Sequence, residues 1–288
     1  MKNKTLKKVL YYVVLLILLG VFAFSAYKIY AYYAEKKEST DLNEEIVYEY
    51  TVRKTGEAKE YFKVDFDQLW QKNADAVGWL YLPDTTINYP ILQHSDNDYY
   101  LTRQIDGSYN RNGSIFMDYR SAPDFSDHNT LIYGHHMLHG NMFGLLVEYK
   151  KNSYYEAHDH MYVMTPQGTY RMDLLCGTIV EPSDPIYDSD PTPEAIASCV
   201  QRSTFKTKLE LPEADAKLVT LSTCTYEFDN ARYVVVGVLT LVEEAANSSF
   251  SAHKRGSVQR HRLSFFCKNL PYSAAANSGA SGGKYCLH

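Results

Sequence analysis

Cys224 has the sequence surroundings expected of a nucleophile. It ends the apolar run 218–223 and opens the polar loop 225–231. A strand end beside a loop holds a side chain firmly and leaves it reachable. Arg232 begins the next apolar run, RYVVVGVLTL, so a hairpin would bring Arg232 and Cys224 to the same end. A guanidinium there lowers a thiol pKa or stabilises an oxyanion. The alternative is a buried cysteine beside a surface arginine.

A cysteine nucleophile needs a proton partner, and three histidines cluster in LIYGHHMLHG: His135, His136 and His139. On a helix, His135 and His139 would share a metal-binding face, but the zinc-protease motif requires Glu directly after the first His. The residues before the cluster have a strand pattern, with Gly134 as a turn. This context favours an acid/base histidine or a plain loop histidine over a metal ligand.

The other four cysteines are weaker candidates. Cys176 lies inside an apolar strand and Cys199 in a predicted helix, so both are expected to pack in the core. Cys267 and Cys286 belong to the C-terminal tail. No C-x-x-C pair supports a zinc or thioredoxin-like site, and five cysteines are too few for a disulfide scaffold. Because the number is odd, at least one thiol is free.

The composition is that of a globular protein. The chain has 288 residues, 45% of them hydrophobic and 22% charged, with a net charge of −5. A mean hydropathy of −0.35 excludes a polytopic membrane protein, and this balance of charge does not indicate a nucleic-acid binder. Twenty-six tyrosines favour strands.

Short alternating runs begin at Val77 and predict about eight strands with few helices, which indicates a closed β-barrel or a sandwich. The runs are GWLYL, INYPILQ, GSIFMDY, NTLIYG, MYVMTP, TYRMDLLCGTIV, AKLVTLSTC and ARYVVVGVLTLV. Apolar spacing predicts a helix over 62–73. Two more helices are expected, one after Gly140 and one over 192–205, where Thr192 and Pro193 form a helix start.

The N-terminus predicts a membrane anchor. Residues 1–8 form a basic cytoplasmic tail, and 9–27 are nineteen residues without a charge, enough to cross the bilayer core. Tyrosines at the far edge extend the signal-anchor to residue 33. The alternative is a cleaved signal peptide, and both interpretations export the remainder. Residues 34–61 are predicted as a stalk and 62–244 as the extracytoplasmic catalytic domain.

Residues 245–288 differ in composition from the rest, with six basic residues and no acidic residue. Their Ser/Ala/Gly-rich end has no periodicity, which favours a disordered extension. A basic tail could bind anionic wall polymer, while the alternatives are a frameshifted or vector-derived terminus. The sequence favours one of these alternatives.

The segment TLSTC, residues 220–224, resembles the TLxTC signature of sortases, the membrane-anchored cysteine transpeptidases of Gram-positive surfaces. The resemblance continues with YGH at 133–135 and with an arginine opening the strand after the cysteine. The runs GWLYLPDTTINYPILQHSDNDYYL, GSIFMDYR, DFSDHNTLIYGHHM and MFGLL are similar to class B sortases in particular. The resemblance covers 62–242 and implies the eight-stranded sortase β-barrel, mainly β, with N-terminal helices and a helix before the cysteine strand.

The resemblance also implies residue roles. Cys224 corresponds to the nucleophile, His135 to the general acid/base and Arg232 to the oxyanion-stabilising residue, with His136 as a neighbour. The substrate groove is implied at Asn97, Leu101 and Ser222, and the oxyanion site at the backbone amide of Thr225. Neither a metal nor an organic cofactor is implied.

The implied reaction cleaves a C-terminal sorting motif after threonine through a thioacyl-enzyme. The protein is then transferred to a cell-wall cross-bridge or peptidoglycan-precursor amine, or to a pilin lysine. The implied partners are surface proteins with a sorting motif, among them pilins or haem-acquisition proteins. Two alternatives remain: an exported cysteine peptidase that uses water, and a membrane-tethered binding module with a retired site.

Overall fold

The structure, a computed structural model, describes residues 2–52, 60–137 and 140–245. Four α-helices and ten strands lie in these ranges. The helices are α1 (Lys2–Tyr50), α2 (Phe66–Lys72), α3 (Asn152–Ala157) and α4 (Pro193–Gln201). The strands are β1 (Thr51–Val52), β2 (Lys63–Val64), β3 (Ala76–Tyr81), β4 (Asn88–Leu92), β5 (Phe116–Met117), β6 (Asn129–Tyr133), β7 (His160–Thr165), β8 (Gly168–Val180), β9 (Leu218–Cys224) and β10 (Arg232–Glu244). Short 3-10 helices span Tyr99–Leu101, Gly144–Lys150 and Pro185–Tyr187.

Eight of the strands close into a barrel in the order β10-β8-β7-β3-β4-β5-β6-β9. The β4–β5 and β6–β9 pairs are parallel, and the other neighbours in the barrel are antiparallel. Strands β1 and β2 form a separate two-stranded sheet. Each of the eight predicted strands corresponds to one barrel strand, which confirms the predicted mainly β fold.

Strand β3 is buried on both faces because the barrel interior lies on one side and helices lie on the other. Leu80 belongs to the interior cluster, with residues such as Ile91 and Val235. Trp79 belongs to an outer cluster that also contains Ile46 of α1 and Leu69 of α2. A strand covered in this way has a continuous apolar pattern, AVGWLY, rather than an alternating one.

Helix α1 runs without interruption through the apolar segment and onto the barrel. Its apolar part is long and hydrophobic enough to cross a membrane. Further along, the Glu35 carbonyl accepts a hydrogen bond from Asn110 at 3.0 Å, and Asn43 donates to the Asn88 carbonyl at 3.2 Å. The segment 34–61, predicted as a stalk, therefore contains a helical part up to Tyr50 that packs against the domain.

The inserted helices differ in detail from the predictions. The helix expected over 62–73 begins only at Phe66, because Asp65 accepts a hydrogen bond from the Gln68 amide and caps the start. The segment after Gly140 forms the 3-10 turns Gly144–Lys150 and then α3. The helix expected over 192–205 is α4, with the Thr192 hydroxyl accepting from the Ala195 amide at 3.3 Å.

The predicted tail, 245–288, lies outside the described residues except for Ala245.

Candidate active site

Strand pairing brings the three predicted catalytic residues to one end of the barrel. In the parallel pair β6–β9, Tyr133 lies opposite Ser222. His135 and Cys224 each come two residues later, so both lie at the same end of these two strands. In the antiparallel pair β9–β10, Arg232 lies directly opposite Cys224. One strand thus provides Cys224, and its two neighbours in the barrel lead to His135 and Arg232.

The three residues line one cleft of about 400 Å³. Three of the four predicted substrate-binding residues also line it, namely Asn97, Leu101 and Ser222. Thr225 does not. Residues that sequence analysis did not select complete the wall: Phe116, Asp118, Tyr119, Arg120, Tyr133, Gly134, Pro182, Tyr187 and Thr223.

The threonines of the TLSTC segment fix the end of β9. Thr220 donates from its hydroxyl to the Asn129 side chain at 2.9 Å, and Thr223 donates to the Gly134 carbonyl at 2.8 Å. Both acceptors belong to β6 or the residue after it, so these bonds tie the cysteine strand to the histidine strand. Cys224 follows as the first partly exposed residue of β9.

His135 is held by the backbone of Leu101. Its Nε2 lies 2.7 Å from the Leu101 carbonyl oxygen. A carbonyl only accepts, so Nε2 carries a proton while this bond exists, and Nδ1 is the atom that gains or loses one. Burial lowers the pKa of His135, and the Leu101 bond opposes that change. The neutral imidazole is therefore favoured.

His136, the next residue along the chain, interacts with the backbone of Cys224. Its ring donates to the backbone carbonyl of Cys224, while its buried Nδ1 finds no hydrogen-bond partner among the described residues. Burial lowers its pKa, with a smaller contribution from Lys150. His136 does not line the cleft. His139 lies outside the described residues.

Arg232 is nearly buried, and Nη1 of its guanidinium donates to the carbonyls of Asn230 at 3.0 Å and Ala231 at 3.2 Å. These bonds to the turn preceding β10 orient the positive charge beside the cleft. Burial raises the pKa of Tyr187, and the positive charge of Arg232 opposes this change only in part.

The Thr225 amide, which the resemblance implies as the oxyanion donor, is engaged in the turn between β9 and β10. This amide donates to the Ala231 carbonyl at 3.0 Å and closes the turn between β9 and β10. The Thr225 hydroxyl accepts from Lys150 Nζ at 2.7 Å and donates to Glu227 at 2.6 Å. Its N–H group has the Ala231 carbonyl as acceptor here, so the role of this amide as an oxyanion donor stays a prediction.

A buried carboxylate, Asp118, organises the opposite wall of the cleft. It accepts hydrogen bonds from Arg120 through both oxygens at 2.9 Å, from Tyr133 at 2.9 Å and from Asn97 at 3.1 Å. These donors outweigh burial and hold the pKa of Asp118 below its usual range. Asn97 also accepts from the Tyr119 amide at 3.0 Å, so its side chain shapes the wall.

Sequence reasoning did not single out Asp118 or Tyr187. Asp118 stands in the motif GSIFMDYR, but its partners Asn97 and Tyr133 come from other parts of the chain. The Tyr187 hydroxyl is hydrogen-bonded to the Ser222 hydroxyl at 2.8 Å, and both residues line the cleft. Among the described residues, no group of three or more His, Cys, Asp or Glu side chains could hold a metal ion.

The sequence and fold match known proteins. The sortase domain family matches residues 80–240. Sortase B of Listeria monocytogenes is 33% identical over 237 residues, which cover 78% of this chain and 94% of that protein. Sortase B of Bacillus anthracis has a TM-score of 0.61 at 32% identity, covering 73% of this chain and 100% of that one. A Staphylococcus aureus sortase B–substrate complex has a TM-score of 0.58 at 31% identity, covering 62% and 85%.

The chain therefore belongs to the sortase family of cysteine transpeptidases. Its relatives and structural neighbours are class B enzymes, so this protein is a class B sortase.

Proposed function

We propose that this sortase is anchored in the membrane by α1 and joins exported proteins to a surface amine. The substrates are surface proteins with a C-terminal sorting motif, and the acceptor is a wall cross-bridge, peptidoglycan-precursor or pilin amine. The observation that carries the proposal is the strand register that leads His135, Cys224 and Arg232 into one cleft.

In the first half-reaction, the Cys224 thiolate attacks the threonine carbonyl and forms a C–S bond. Arg232 stabilises the oxyanion of the tetrahedral intermediate. His135, as imidazolium, gives its Nδ1 proton to the departing amine as the C–N bond breaks. A thioester on Cys224 results. Because burial lowers the pKa of His135, the imidazolium is a minority form at neutral pH.

In the second half-reaction, an amine attacks the thioester, and neutral His135 accepts the proton that the amine loses. The C–S bond breaks, an amide forms and the thiolate of Cys224 is restored. If water attacked instead, the enzyme would be a peptidase.

The proposed orientation places residues 1–8 in the cytoplasm, 9–33 in the membrane and the barrel outside. Lysines at positions 2, 4, 7 and 8 precede the apolar segment, and such charges favour the cytoplasmic side. Residues 9–24 expose their apolar side chains along α1, as expected for a segment that faces lipid.

The test uses the full chain in detergent, a library of threonine-containing sorting peptides and an added amine, with Cys224→Ala as the control. Mass spectrometry should detect an acyl adduct on Cys224 and an acceptor-joined product, both absent in the variant. Cleavage without joining over a range of amines would indicate the peptidase instead. A chain that forms no adduct with any motif would contradict the proposed activity.

A further inference from the structure

A second pair of cysteines lies away from the cleft. Cys176 is on β8 and Cys199 on α4, and both side chains are fully buried. Their sulfur atoms are 2.6 Å apart. Neither residue lines the cleft, and both belong to a cluster in which α4 covers the outer face of the barrel. The two thiols are therefore partners for each other rather than for the substrate.

Hydrogen bonds hold the end of α4 against the strand that carries Cys176. The Thr204 amide donates to the Gly177 carbonyl at 2.7 Å, and the Thr178 hydroxyl donates to the Arg202 carbonyl at 3.1 Å. The Gly177 amide donates to the Ser203 hydroxyl at 3.1 Å. These contacts lie next to Cys176 on the strand and shortly after Cys199 in the chain. These hydrogen bonds thus hold the segments that carry the two cysteines close together.

We propose that Cys176 and Cys199 form a disulfide bond in the exported protein. One thiolate attacks an oxidising disulfide, either of a thiol–disulfide oxidoreductase or of oxidised glutathione, and forms a mixed disulfide with loss of one thiol. The other thiolate then attacks that mixed disulfide. The S–S bond between Cys176 and Cys199 forms, a second thiol leaves, and the oxidant has gained two electrons and two protons.

The location of the barrel in the proposed topology is compatible with this bond. Disulfides persist mainly in proteins exported from the cytoplasm. Within the folded domain, the hydrogen-bonding contact with Cys199 and, after it, burial raise the pKa of Cys176, so its thiolate is scarce. Thiol–disulfide exchange in the native state is therefore slow, and the bond forms during folding, before α4 has packed on the barrel.

The bond would link α4 to β8, in the part of the fold that supports one wall of the cleft. The cluster around Cys176 and Cys199 includes Ile186, and Tyr187 packs against it. Tyr187 in turn is hydrogen-bonded to Ser222 in the cleft. The disulfide closes a loop between positions 23 apart in the chain, which restricts the unfolded state.

The test uses the full chain as Cys224→Ala, which removes the nucleophile as a competing thiol. The protein is unfolded in detergent and denaturant, refolded with equal reduced and oxidised glutathione, alkylated and digested without reductant. Mass spectrometry should find a peptide pair linked through Cys176 and Cys199. Its melting temperature should exceed that of the same protein refolded with excess reductant by roughly 6–12 °C.

The matched control is the same protein with Cys176→Ala and Cys199→Ala added, which should melt at one temperature under both conditions. Two results would overturn the proposal. They are alkylation of both cysteines after oxidative refolding and a link from either one to a third cysteine. Neither depends on transpeptidase activity, so a failure here leaves the proposed function intact.

Discussion

His135 and Cys224 each lie two residues beyond a directly paired position, Tyr133 and Ser222, on the parallel strands β6 and β9. The Thr223 hydroxyl bridges the strands by donating to the Gly134 carbonyl, between the paired positions and the two predicted catalytic residues. The proposed acid/base residue and nucleophile are therefore positioned by the register of β6 and β9, and their spacing depends on the barrel staying closed.

The first prediction concerns Arg232. Replacing it by alanine should lower kcat/KM by about 10²–10³, the usual cost of an oxyanion donor. Arg232→Lys should recover only part of the loss, because an ammonium cannot reproduce the two carbonyl contacts together with a contact to the oxyanion. Steady-state transpeptidation kinetics measure both. An alanine variant within threefold of the parent would exclude the oxyanion role.

The second prediction separates two adjacent histidines. His135→Ala should reduce the acylation rate by about 10²–10⁴ because it removes the general acid. His136→Ala removes one hydrogen bond to the Cys224 carbonyl and should cost about 1 kcal/mol of stability, with a smaller loss of rate. Stopped-flow acylation and thermal unfolding of the two variants measure the difference. Reversed magnitudes would show that His136 is the acid.

The third prediction concerns pH and stability. Burial lowers the pKa of His135 and of His136, whereas an unfolded imidazole has a pKa of about 6.5. Below that value the unfolded chain binds protons that the folded state does not, so stability should fall as the pH drops from about 7 to about 5.

The double variant His135→Gln, His136→Gln should weaken this decline. Glutamine can still donate to the Leu101 carbonyl but does not titrate. The melting temperature measured across the window gives the slope for each protein. The Asp118 carboxylate, whose pKa is also lowered, contributes only at more acidic pH, below about 4. Equal slopes for variant and parent would contradict the prediction.

The fourth prediction concerns Asp118. Asp118→Ala should reduce stability by about 2–4 kcal/mol, since it leaves the buried donors of Tyr133 and Asn97 without their acceptor. It should also raise KM, because both donors line the cleft. Arg120→Ala is the matched control: its side chain is 62% exposed, so it should cost less than about 1 kcal/mol. Denaturant unfolding of the two variants tests the order.

Much of this architecture could be predicted from local patterns. Alternating apolar runs identified all eight barrel strands, and the position of Cys224 before a polar loop identified the hairpin with Arg232.

The partners of Asp118 could not be found from local patterns, because Asn97 and Tyr133 reach it from distant parts of the chain. The hydrogen bond from the Thr225 amide to the Ala231 carbonyl could not be predicted either, because the closure of this turn depends on the backbone conformation of Ala231. The packing of residues 35–50 on the barrel was not predicted, because the charged side chains of this segment are typical of a helix exposed to solvent.

In the proposed topology, helix α1 has a mechanical consequence for the enzyme. Its 49 residues make one continuous rod of roughly 74 Å, whose far half is fastened to the barrel through residues such as Glu35 and Asn43. With the near half embedded in lipid as proposed, the barrel would stand at a set height and tilt above the bilayer. The cleft would then stay within a narrow range of distances from the membrane. Exported substrates would have to present their sorting motifs at that distance.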